Sequence, residues 1–172
     1  MLSEFGSPKA GLVSILANLD SSRQSIDNNA TRDSFFEYAL LDLASIHFRF
    51  TNDSHLVDAE VEDARVRIAT QISENPQAMF AFVYKSLDLA ISAEVDGWFE
   101  PCLRRSIFQF LIDYYDGAVD GEDMEYIEEM DEWLRDRAPW VNPLLPGALP
   151  TSIPVGHWWW LLPTGTERVP DC

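Results

Sequence analysis

The stretch Arg32-Asp-Ser-Phe-Phe-Glu-Tyr-Ala-Leu-Leu-Asp-Leu-Ala-Ser-Ile-His-Phe-Arg-Phe50 contains neither glycine nor proline. On a helical projection Phe35, Phe36, Ala39, Leu40, Leu43, Ile46 and Phe50 cover most of the circumference. A helix with so little polar surface belongs inside a helical body. Its surroundings read the same way. Ser7-Pro8 is a capping hydroxyl followed by a first-turn proline, and opens a short amphipathic helix through Leu12, Ile15, Leu16 and Leu19. The polar stretch from Ser21 to Ala30 ends it. From about His55 to Ser73, Val57, Val61, Ala64, Ile68 and Ile72 form one stripe, while Asp58, Glu60, Glu62 and Asp63 point elsewhere.

Asn75-Pro76 repeats the cap-then-proline signal before Met79, Phe80, Val83, Leu87 and Ile91, a helix apolar nearly all round. Gly97 and Pro101 separate it from a fifth helix with Leu103, Ile107, Phe110, Leu111 and Tyr114 on one side. Asp120-Gly121 opens a sixth, reaching about Arg137. The expectation is an all-α fold: one compact domain of about six helices, the second and fourth central, with the helical body over 7–137.

Residues 138–172 differ in kind. They hold seven of the ten prolines and four of the six tryptophans, which excludes a long helix or a central strand. Such apolar content is equally unsuited to a solvated tail. An extended Pro/Trp-rich arm packed on the helices, with its tryptophans in the grooves, is therefore expected. The alternative leaves Trp158 to Trp160 outward as anchors for a partner.

The formal net charge is −17 over 172 residues, and from Asp113 to Arg137 eleven acids face two arginines. An ordered surface of one sign repels nucleic acid and membranes and attracts basic proteins over distance. On the sixth helix Ile127, Met130 and Leu134 share a face flanked by Tyr126 and Trp133. Glu125, Glu129, Glu132 and Asp136 lie opposite. With Asp116, Asp120, Glu122, Asp123 and Glu128, these form the candidate partner-binding set. Most charge runs are solvated faces that keep a protein soluble. Like charges one turn apart weaken a helix, however, and this surface gathers one sign, so a binding role stands beside that reading.

Signatures of chemistry are missing. There is no G-x-S-x-G elbow, Walker loop, G-x-G-x-x-G turn or His-Glu-x-x-His pair. A calcium loop registered on Gly121 places Ile127 where its twelfth-position glutamate must stand, so that reading fails. A tight turn is expected instead, with Gly117 ending one helix and Asp120 capping the next. Cys102 and Cys172 fit no disulfide framework or zinc spacing. No cofactor is implied. The N-terminal residues lack a signal peptide's basic start and apolar run. No segment approaches the length of a membrane span. A soluble, cytoplasmic protein is expected.

Two polar residues fall on apolar faces. Asp42 should be satisfied by Arg104, Arg105 or a helix end, and His47 should be a bonded core histidine. The leading functional expectation is an acidic inhibitory protein whose charged face covers the basic substrate site of a partner. An immunity protein neutralising a cognate bacterial toxin, such as a nuclease, would act in this way. The alternatives are a small α-helical enzyme with a site near Asp42 and His47, or a nucleic-acid mimic or adaptor.

Overall fold

A computed structural model describes residues 3–25, 27–50, 59–150 and 152–163. Six α-helices follow in chain order: α1 (Pro8–Gln24), α2 (Asn29–Phe50), α3 (Ala59–Ser73), α4 (Pro76–Ile91), α5 (Phe99–Tyr114) and α6 (Gly121–Arg137). Single 3-10 turns at Ala138–Trp140, Pro146–Ala148 and Trp158–Leu161 punctuate the arm. There is no strand among the described residues, and none of their helices is long and apolar enough to cross a membrane. His55 to Asp58, assigned to the third helix by pattern, lie outside the described residues, as does the arm beyond Pro163.

Ser7 caps α1 as expected, its Oγ accepting from the Ala10 N–H at 3.3 Å. The helix continues past the expected polar break, to Gln24, because Ser22 is used inside. Its hydroxyl donates to the Arg32 carbonyl at 2.8 Å and accepts from Asn75 Nδ2 at 3.0 Å. Asn75 stands at the N-cap position, as expected, with its side chain engaged elsewhere. It is buried, and α4 begins on Pro76 without a side-chain hydrogen bond at its cap.

α1 lies against α2 at Gly11, where a Cβ would overlap the Ile46 side chain. Gly11→Ala should therefore destabilise the fold by about 1–3 kcal/mol, the usual range for overpacking. A lowered urea midpoint, partly restored by Ile46→Val, is the expected measurement. An unchanged midpoint would mean the helices do not approach this closely.

The second central helix is α5, not α4. Every residue from Pro101 to Phe108 is buried, including Arg104 at 1% and Arg105 at 6% exposure. Arg104 pairs with Glu37 and Glu100 and lies over the Phe82 ring. Arg105 pairs with Asp131 at 2.6 Å and lies over Trp159. These partners allow a guanidinium to be buried at all. Pro101 sits in the first turn of α5 rather than before it, where the missing N–H has no helical partner anyway. α4 instead turns Phe80 (54% exposed) and Tyr84 (62%) to solvent.

The arm packs on this body. Val141, His157, Trp159 and Trp160 are buried, and Trp160 meets Phe48 and Phe99 edge-on at 5.9 and 5.5 Å. The Trp159 carbonyl accepts from Trp98 Nε1 at 3.0 Å and from the Cys102 thiol at 3.4 Å. Trp158 is half-buried beneath Arg135, while Trp140 stays in solvent.

Candidate partner-binding face

The face is built from the turn outward. α5 ends as Tyr115 folds into the core, and Gly117 takes φ +78°, the left-handed conformation that glycine adopts without penalty. Asp120 then caps α6. Its Oδ1 accepts from the Asp123 N–H at 2.9 Å, and Asp123 Oδ2 accepts from the Asp120 N–H at 3.3 Å. This reciprocal box satisfies donors that the helix start would otherwise leave open.

From there α6 buries Ile127, Met130 and Leu134, the stripe its spacing predicts. Asp116, Asp120, Glu122, Glu125, Glu128, Glu129, Glu132 and Asp136 are exposed, and Asp123 is half-buried. None of these nine forms an ion pair among the described residues. Asp131 lies on the inner edge instead, bound to Arg105. Burial raises the Asp123 carboxyl above its ordinary pKa, and the neighbouring charges of Asp120 and Glu122 push the same way. The hydrogen bond from the Asp120 N–H opposes the shift without cancelling it.

Two depressions adjoin the turn. A cleft of about 520 Å³ runs between α3 and the end of α5, past Glu62, Arg65, Asp113 and Asp116. A recess of about 140 Å³ lies beside it, with Met79, Phe80, Ala118 and Tyr126 below Asp120, Glu122 and Asp123. Ser73 and Gly117 line both, so the two adjoin. The contribution of α4 was missed by charge reasoning. Its signal was Phe80 and Tyr84, one turn apart and off the Met79–Val83–Leu87 stripe.

The residues considered for catalysis do not converge. Asp42 accepts from Ser3 Oγ at 2.6 Å, Ser14 Oγ at 2.7 Å and Asn18 Nδ2 at 3.2 Å. The expected arginine partners are engaged elsewhere, and neutral donors from α1 and the segment before it replace them. His47 is stacked against Phe110 and Tyr114, each at 4.7 Å, and meets the Tyr115 hydroxyl at 3.1 Å. Burial lowers its pKa to about 3, with Arg65 and His157 adding to the shift, so it is neutral.

A second histidine, His157, lies 3.0 Å from the Ser106 hydroxyl through Nδ1. The pair resembles a nucleophile and its base, yet the serine is fully buried and saturated. Trp159 and Trp160 donate to its oxygen at 3.0 and 2.9 Å. Its one hydrogen must therefore go to His157 Nδ1, which places the imidazole proton on Nε2. Burial first, then Arg105, lowers the His157 pKa to about 4.

Among the described residues no group of three or more His, Cys, Asp or Glu is placed to hold a metal ion. No protein-family model matches the chain, and no curated protein or solved structure matches it significantly.

Proposed function

We propose that the protein binds a basic macromolecular partner through the acidic turn and the outer face of α6, and inhibits it by covering a surface built for phosphates. An immunity protein of a toxic nuclease is the most specific form of this reading. The observation that carries it is the division of charge. Arg104 and Arg105 neutralise acids inside the fold, while the nine candidate carboxylates of the turn and α6 have no paired cation among the described residues. Carboxylates spaced along a rigid helix can stand where phosphates would lie, and the summed field steers an oppositely charged protein into contact.

The test is association kinetics with the basic partner, sought in the product of the neighbouring gene and by purification on the immobilised protein. The association rate should fall steeply with salt. Reversing Glu125, Glu129 and Glu132 to lysine should slow it by about 10- to 1,000-fold, the span attributable to electrostatic steering. The unfolding temperature should change little, because all three side chains are exposed. Association indifferent to both salt and charge reversal would overturn the reading.

A further inference from the structure

The solvent face of α4 carries two exposed aromatic residues, Phe80 and Tyr84, among polar Gln77, Lys85 and Asp88. Phe80 and Tyr84 stack at 6.3 Å, and Phe80 meets Tyr126 of α6 edge-to-face at 6.3 Å and 78°. Phe80 and Tyr126 flank the recess of about 140 Å³, whose rim holds Asp120, Glu122 and Asp123. The capping box engages one oxygen of Asp120 and one of Asp123, leaving the other of each outside it.

The fold uses this combination twice within itself. Arg104 lies 4.8 Å from the Phe82 centroid while bound to Glu37 and Glu100. Arg105 lies 4.4 Å from the Trp159 centroid while bound to Asp131. Each pairs a ring face with a carboxylate, and a guanidinium fits both because it is planar, stacks, and donates in a fork. At the recess the ring and the carboxylates are present, and among the described residues no cation lines it.

Building on the function proposed above, we infer that this recess seats an arginine side chain from a basic segment of the partner, stacked on Phe80 and bonded to the carboxylates of the rim. Charge complementarity selects a cation, and the exposed rings select arginine over lysine. Glu122 supplies a carboxylate outside the capping box. The larger cleft adjoins at Ser73 and Gly117, so the flanking chain would run towards Asp113 and Asp116.

The experiment titrates the intact protein with two synthetic basic peptides of identical sequence, one carrying arginine and the other lysine at every basic position. Calorimetry at low ionic strength should show the arginine peptide binding more tightly by about 2- to 30-fold, the range of a cation–π contact from exposed to desolvated. Phe80→Ala should abolish that preference and leave the lysine-peptide affinity and its salt dependence near wild type. Phe80→Leu, which keeps apolar bulk, should do the same. Unchanged circular dichroism would confirm folding in both variants. Equal affinities for the two peptides, no binding of either, or a preference surviving both substitutions would overturn the inference. Its failure is separable from that of the broader function. Loss of the arginine preference alone leaves the salt-steered association and its sensitivity to Glu125, Glu129 and Glu132 intact.

Discussion

Ser106→Ala should cost about 3–5 kcal/mol, far more than the removal of one oxygen ordinarily costs. Leaving a buried polar group without its partner costs about 1–3 kcal/mol, and this hydroxyl serves three. The Trp159 and Trp160 indole N–H groups would lose their acceptor, and His157 Nδ1 would lose its donor. The full sum is not expected, because a water entering the vacated space would recover part of it. Urea unfolding followed by tryptophan fluorescence and far-ultraviolet circular dichroism measures the loss. A double-mutant cycle with Trp160→Phe, which retains bulk but has no donor, should show coupling between the two positions. A loss below about 1 kcal/mol would show that this hydroxyl is not the hub holding the arm.

Arg104→Met should destabilise by about 3 kcal/mol, the low end for breaking a buried ion pair, because Lys85 still reaches Glu37. Replacing Arg104 and Glu37 together, by methionine and leucine, should recover most of the loss. Buried pairs exchanged for apolar residues of similar volume are commonly neutral or better. The pH dependence supplies an independent reading. Burial pushes the Glu37 carboxyl upward, but the Lys85 hydrogen bond and the Arg104 charge outweigh it and hold its pKa below the usual value. A carboxyl depressed in the folded state contributes stability above its unfolded pKa, about 4.3. That contribution disappears as pH falls through the lower folded value. The acid-side decline should thus be shallower in Arg104→Met. Parallel curves would remove Arg104 from the account of Glu37.

The helical order was legible because proline and glycine punctuate the chain and because α2 and α6 carry unambiguous apolar patterns. The inner stripe Ile127, Met130, Leu134 and the cap at Asp120 stand where spacing places them. The exchange of α4 for α5 as the second central helix has a specific cause. Pattern reading gives the fifth helix one apolar side, whereas Arg104 and Arg105, outside that stripe, are buried against Glu37 and Asp131 from other helices. Asp42 is satisfied as expected, but its partner differs for a related reason. Charge suggests an arginine, but two serines and an asparagine suffice when they approach from one side. Proline and tryptophan content implied a packed arm, without showing that Trp159 and Trp160 would turn inward while Trp140 stayed out. The recess required α4 and α6 to be side by side, which no local pattern contains.

The lock between arm and body also bears on the order in which the molecule can be completed during synthesis. Trp98, Cys102 and Ser106 receive their partners from residues 157–160, more than fifty positions later. A ribosome releases the chain from its N-terminus at about 5–20 residues per second. For about 1–5 seconds all six helices are therefore available while the slot against α5 stands open and apolar. Closure waits for the tryptophans. A nascent chain stalled before His157 should be a target for chaperones and proteases, and one extended past Pro163 should escape them.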